Sequence, residues 1–124
     1  MREIKFRAKR LDNGEWVNGF VLFNHEKSEA VIAKLTPTES VCENVILETV
    51  GQFSGLHDKY GKEIYEGDIV RFDNQLQGVS KVVYDSGQYT VESKTYSTAL
   101  TYRIAIHTLV IGNIHDNPEL LKTE

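Results

Sequence analysis

Cysteine is almost missing from this chain: Cys42 stands alone in 124 residues. No internal disulfide is available, so stability has to come from burial, and a reducing, cytoplasmic location is expected. Long apolar runs are missing too. Nothing approaches the ~18 consecutive apolar residues of a membrane-spanning helix. Met1-Arg2-Glu3-Ile4-Lys5-Phe6 lacks the apolar stretch of a secretory signal, so no membrane partner is expected. The chain also lacks G-x-S-x-G, G-x-x-x-x-G-K-S/T and G-x-G-x-x-G, the signals of common hydrolases, P-loop enzymes and dinucleotide enzymes.

The four histidines, His25, His57, His107 and His115, contain no H-x-x-x-H pair, which argues against zinc. His57-Asp58 and His115-Asp116 are adjacent in sequence, but neighbours on an extended chain point to opposite sides and make no dyad. Thr38 to Asn44 supplies no base for Cys42, so an inert, half-buried thiol is expected. Glu63, Glu66 and Asp68 come closest to a carboxylate cluster, yet acids beside a turn glycine ordinarily serve solvation and turns. The expectation is a protein that is not an enzyme, with no catalytic residue, metal or cofactor.

What is present is enough to fold. Hydrophobic residues make up 40% and charged residues 26%, which permits collapse into one small domain. The net charge of −4 is uneven: Met1 to Arg10 holds five basic residues and one acid, a local +4, leaving −8 on the rest. On a strand, Ile4, Phe6 and Ala8 share one face, and Glu3, Lys5, Arg7 and Lys9 the other. That basic face suits phosphates, an acidic protein surface or solvent at a defended sheet edge.

Turn signals recur at short intervals, the pattern of an antiparallel meander. Asp12-Asn13-Gly14 separates a first strand from Glu15 to Phe23, and Ala30 to Leu35 forms a third. Thr36-Pro37-Thr38-Glu39 has the form of a helix start, with Thr36 as cap and Glu39 closing a capping box. Asp58-Lys59-Tyr60-Gly61 suits a hairpin turn with Lys62 to Tyr65 as its return strand. Further strands are expected at Asp68 to Phe72, Val79 to Tyr84, Gln88 to Glu92, Tyr102 to Ile106 and Leu109 to Gly112. Asn117-Pro118 opens a short terminal helical turn, with Asn117 as its cap. The fold class is mainly β with minor α. It consists of an N-terminal antiparallel sheet over about 1–57 and a small barrel over about 62–114, Src-homology-3-like or oligonucleotide-binding-like.

Three stretches together resemble the YopX-like proteins of phages and prophages: Ile4 to Ala8; Gly55-Leu56-His57-Asp58-Lys59-Tyr60-Gly61-Lys62-Glu63-Ile64-Tyr65-Glu66-Gly67-Asp68-Ile69-Val70; and Val110 to Ile114 running into Asn117-Pro118-Glu119-Leu120. Tyr60 departs from that pattern where asparagine is more usual, and Lys9 where an aromatic is. The resemblance implies a β-rich phage or prophage protein of the bacterial cytoplasm, spanning the chain as one domain, and brings no catalytic residues. It marks Gly55, Asp58, Gly61, Gly67, Asp68, Gly112 and Pro118 as structural positions.

Two functions from different classes fit. One is a non-enzymatic protein-interaction module, with a protein partner or a second copy forming a homo-oligomer through edge strands and exposed aromatics. The alternative is a nucleic-acid-binding accessory protein that uses Lys5, Arg7 and Lys9 with tyrosines of the barrel, Tyr84, Tyr89, Tyr96 and Tyr102, as stacking groups. The acidity of the chain beyond residue 10 disfavours the second.

Overall fold

The computed structural model describes residues 3–73 and 78–123. The chain divides into two compact units, residues 1–53 and 54–124. Among the described residues, eleven strands lie in two antiparallel sheets, so the mainly β expectation holds.

The first unit is a meander of β1 (Phe6–Lys9), β2 (Trp16–Asn24), β3 (Glu29–Leu35) and β4 (Ser40–Val45). A 3₁₀ turn at Leu47–Thr49 then leads into β5 (Gly51–His57), which begins beside β1. β2 serves two partners. Trp16 to Gly19 pair with β1, whereas Phe20 to Asn24 pair with β3. Gly19 marks the change: a Cβ there would lie 2.4 Å from the backbone oxygen of Ala33, closer than real atoms come. Ala8, Ala30, Ile32 and Val45 form the core, with Phe6, Val17, Val21, Leu47 and Val50 packed on it. The alternation of β1 through β4 delivers this apolar face. Thr49 fastens the 3₁₀ turn to β1, its Oγ1 accepting from Lys9 N at 2.9 Å and donating to Ile46 O at 2.6 Å. Arg10 bridges to Val45, Leu11 N donates to Asn44 O and Ile46 N to Lys9 O. The far end of β4 thus returns beside the end of β1.

In the second unit the later half of β5 turns at Asp58–Gly61 into β6 (Glu63–Tyr65). The five-stranded sheet has the order β10-β9-β8-β7-β11, with β7 (Asp68–Phe72), β8 (Ser80–Asp85), β9 (Gln88–Glu92), β10 (Ser97–Ala99) and β11 (Thr108–Asn113). Four strands meander and the fifth returns beside the first. The edges β10 and β11 are not paired with each other, so the expected barrel is an open sheet. Ile64, Val70, Val82, Val91, Leu100 and Ala105 make its core.

Asp58 organises the turn. Its Oδ1 accepts from Tyr60 N and Lys62 N, both at 2.9 Å, and its Oδ2 accepts from Val110 N at 3.0 Å. Lys59 N donates to Thr108 O and Gly61 N to Asp58 O. Gly61 takes the φ of +83° that closes the turn. The free edge of β11 is thereby occupied by a loop, which protects it from pairing with another chain.

Three expectations are corrected. Tyr102 to Ile106 is not a strand: Tyr102–Ala105 forms a short helix, α1, with Thr101 Oγ1 accepting from Ile104 N at 3.3 Å. Leu100, Ala105 and Thr108 are buried and Ile104 half-buried, while Tyr102 is exposed. Within the segment the adjacent residues Ile104 and Ala105 both turn inward, which a strand's period of two does not allow. Thr36 to Glu39 does not start a helix. Thr36 N donates to Glu39 O and Glu39 N to Thr36 Oγ1, closing the β3–β4 hairpin before any helical turn can form. Cys42 is exposed rather than half-buried, since its position on β4 faces outward. β10, with the sequence Ser-Thr-Ala, carries no apolar alternation and went unread. Asn117, which precedes the 3₁₀ turn at Pro118–Thr123, accepts from Asn113 N at 3.2 Å and from Leu120 N through its carbonyl.

Two substitutions test this account. Gly19→Ala should cost about 1–3 kcal/mol, because the added methyl meets backbone rather than a yielding side chain. Asp58→Asn should cost about 1–3 kcal/mol. Its carbonyl oxygen still serves Tyr60 and Lys62, but its amide then opposes the Val110 N–H. Urea unfolding midpoints at constant m-value check both.

Candidate interaction surface

The face of the first sheet opposite its core holds the basic residues of β1. Alternation sends Phe6 and Ala8 to the core and Lys5, Arg7 and Lys9 to the other side. There the cations meet aromatic rings. The Arg7 guanidinium lies 4.7 Å from the centroid of Trp16 and Lys9 Nζ 5.6 Å from the same ring; Lys5 Nζ lies 5.2 Å from Phe53 and 3.8 Å from Glu3 Oε1. The register that places Trp16 opposite Lys9 produces the shared stack. Arg10 is clamped by Asp12 at 2.8 Å and Glu43 at 3.3 Å. The hydrogen bond from Arg10 holds the Asp12 carboxyl below its ordinary range. Each described cation of the first ten residues therefore faces a ring or an acid. Arg2 lies outside the described residues.

Beside the cations, Phe20 and Leu22 stand 54% and 58% exposed. Phe20 pairs with Ala33 and Leu22 with Val31. Ala33 in turn pairs with Cys42, and cross-strand partners share a face. The result is a continuous apolar strip over β2 and β3, bordered by Trp16, Arg7 and Lys9. A signal for it was present in the sequence. In Trp16–Asn24 both alternating sets carry large apolar residues, Val17 and Val21 on one side and Trp16, Phe20 and Leu22, with Asn18 and Asn24, on the other. A strand with one solvated face would be apolar on one side alone.

Tyr84 and Tyr89 pair across β8 and β9, ring centroids 5.1 Å apart and edge to face, with Tyr89 packed on the core. Tyr96 leans on Phe72 and lies 3.3 Å from Ser80 Oγ. Tyr102 sits exposed on α1 rather than on a strand.

The structural positions are placed as follows. Gly55 lies exposed within β5, and Gly67 N donates to Val82 O while its carbonyl accepts from Ile114 N. Asp68 is buried and accepts from Tyr65 N at 2.8 Å. Gly112 follows an irregularity in β11 and packs against Asn117, and Pro118 begins the last 3₁₀ turn. Glu63 accepts from the Tyr65 hydroxyl at 3.1 Å. Among the described residues, no group of three His, Cys, Asp or Glu is arranged to hold a metal ion, and no helix is long and apolar enough to cross a membrane.

One charged cluster escaped the sequence reading. Asp73 Oδ2 lies 3.3 Å from Lys59 Nζ and 3.5 Å from His107 Nδ1. The three residues are far apart in sequence, so no motif announces them. Burial opposes ionisation of Asp73, but hydrogen bonds from Lys59 and His107 outweigh it and hold the carboxyl below its ordinary range. A lowered native pKa contributes stability that is present above the unfolded value of about 3.9 and lost as pH falls through the native one. An NMR titration of Asp73 should therefore give a midpoint below that of an unstructured peptide, and Lys59→Ala should move it upward. Asp73→Asn should lower stability at about pH 7 and leave it unchanged at about pH 2.

Comparison with known proteins agrees with this architecture. A crystal structure of protein EF1440 from Enterococcus faecalis superposes with a TM-score of 0.63 at 28% identity, covering 98% of this chain and 99% of that one. No curated protein matches the sequence. The family model described as YopX protein matches residues 5–122, and with nearly the whole chain so covered, the protein belongs to the YopX family.

Proposed function

We propose that the protein is a non-enzymatic interaction module of a phage or prophage, acting in the cytoplasm of a bacterial host, and that it binds protein through the outer face of its N-terminal sheet. The observation that carries this reading is the strip of Phe20 and Leu22, more than half exposed on a regular sheet face. Large contiguous apolar exposure costs solubility unless a partner covers it. Arginine and aromatic residues at its border are the types enriched at protein interfaces. The single unpaired, exposed cysteine fits a reducing compartment.

The stacking of Arg7 and Lys9 on Trp16, and of Lys5 on Phe53, reduces what the basic strand offers to a phosphate backbone. Affinity capture from bacterial cells should recover protein held by the natural chain and lost from the variant carrying both Phe20→Ser and Leu22→Ser. Identical capture by both would overturn the reading. So would salt-dependent binding of labelled oligonucleotides that weakens when Lys5, Arg7 and Lys9 are replaced together, which is the signature of a nucleic-acid protein.

A further inference from the structure

A strand at the end of a sheet presents backbone groups that a neighbouring chain can pair, and in the first unit β4 is such a strand. One of its edges is taken by β3. Leu11 N donates to Asn44 O and Ile46 N to Lys9 O, so Asn44 and Ile46 turn their backbone groups away from β3. These groups alternate along a strand, and Ser40 and Cys42 therefore turn theirs to the same free edge. β1 covers that edge no further than Leu11, because Arg10 N donates to Glu15 O and Gly14 N to Arg10 O as the chain turns back into β2. Among the described residues, the Cys42 N–H and C=O on this edge have no partner. Ser40, Cys42 and Asn44 are exposed. The free edge of β11, by contrast, is occupied by the Asp58 loop.

The side chains beside the edge say what kind of chain fits it. Val41 and Glu43 alternate to the side opposite Cys42, and Glu39 stands two residues before Val41. Where β1 turns away, Leu11, Asp12, Cys42, Glu43 and Asn44 line a hollow of about 320 Å³. Asp12 and Glu43 share one cation, Arg10. Among the described residues, the Glu39 carboxylate has no partner, and Lys34, which pairs with Val41, forms no ion pair. The edge is thus acidic at both ends with an apolar residue between. We propose that this edge is a docking site beyond the outer face, and that its occupant is an extended segment of a partner protein that adds a strand to β4. The segment carries an apolar residue opposite Val41 and basic residues opposite Glu39 and Glu43. An extended backbone offers N–H and C=O groups at the spacing of Ser40 and Cys42. A second copy of this chain fits worse. Antiparallel pairing of two β4 edges about Cys42 needs the Asn44 carbonyl that Leu11 already holds. Pairing about Val41 sets Glu39 opposite Glu43 twice, and like charges directly opposite one another weaken a ladder.

The probe is the peptide acetyl-Lys-Thr-Val-Thr-Lys-amide, titrated into the isotope-labelled full chain and followed by NMR. It should shift the Ser40 and Cys42 amides saturably, with a Kd on the order of 1 mM or tighter, and slow hydrogen exchange at Cys42. The same peptide with proline for both threonines should not bind, because it lacks the N–H groups that face the edge. With glutamate for both lysines it should bind about tenfold more weakly. Glu39→Lys should reverse that preference. Cys42→Pro keeps the ladder to β3, since the N–H it removes faces away from β3; it should fold by circular dichroism and lose the peptide. Should that proline disturb the strand, Glu39→Lys decides. No binding of the lysine peptide, binding that survives a folded Cys42→Pro, an unchanged preference in Glu39→Lys, or shifts centred on Phe20 and Leu22 overturns the proposal. Shifts at Ser40 and Cys42 that grow with chain concentration in the absence of peptide would give the edge to a second copy and overturn it as well. The variant with Phe20→Ser and Leu22→Ser should bind the peptide as the natural chain does, so failure at this edge and failure of the outer-face reading are told apart.

Discussion

The carbonyl oxygen of Ala33 occupies the space that a side chain at residue 19 would need. That close approach lets one strand belong to two ladders. With glycine there, β2 runs from pairing with β1 into pairing with β3 without a break. Both its sides are thereby committed: Val17 and Val21 line the core, and Trp16, Phe20 and Leu22 are carried outward. The aromatic ring that receives Arg7 and Lys9 and the strip beside it are thus products of the same strand that builds the core.

The second unit depends on a different device with the same purpose. The open edge of β11 presents unpaired backbone groups, and Asp58 answers them with a carboxylate oxygen on Val110 N while Lys59 N covers Thr108 O. The remaining oxygen of Asp58 closes its own turn. Asp68 does comparable work at the next turn, on Tyr65 N. Asp58 and Asp68 of the central block are thus engaged by backbone amides, which gives so ordered a stretch of sequence an architectural role. Loops that are strongly specified usually suggest function; here the specification is met by hydrogen bonds that the fold itself uses.

Much of this was legible in the residues. The strands Asp68–Phe72 and Gln88–Glu92 were read to the residue, and the turn at Asp58 to Gly61 was read with its glycine. Those elements are set by local signals: alternation, a turn acid and a positive φ. The misread segments are ones where a nonlocal partner decided. Tyr102 to Ile106 alternates like a strand, but the adjacent residues Ile104 and Ala105 are the ones turned inward, as in a helical turn. Thr36 offers a good cap, and its hydroxyl does engage Glu39 N, but the register of β3 with β4 had already fixed the chain as a hairpin. β10 is a strand by virtue of its neighbour alone. The Lys59, Asp73 and His107 cluster joins three distant stretches, a proximity that no spacing encodes.

The basic strand shows how charge read from sequence changes meaning once register is known. Five basic residues in ten suggested a surface waiting for phosphates. Pairing then placed Trp16 under two of the cations and Phe53 under a third. A cation held flat against a ring keeps its charge but loses the freedom to follow a flexible backbone, and it gains a fixed position beside an apolar strip. Fixed charge next to fixed apolar area suits recognition of a rigid surface, where register can be matched at both ends. A mobile polyanion is met better by loose lysines. The alternation that builds the core of the first unit therefore also sets, on its opposite face, the rings against which these cations lie.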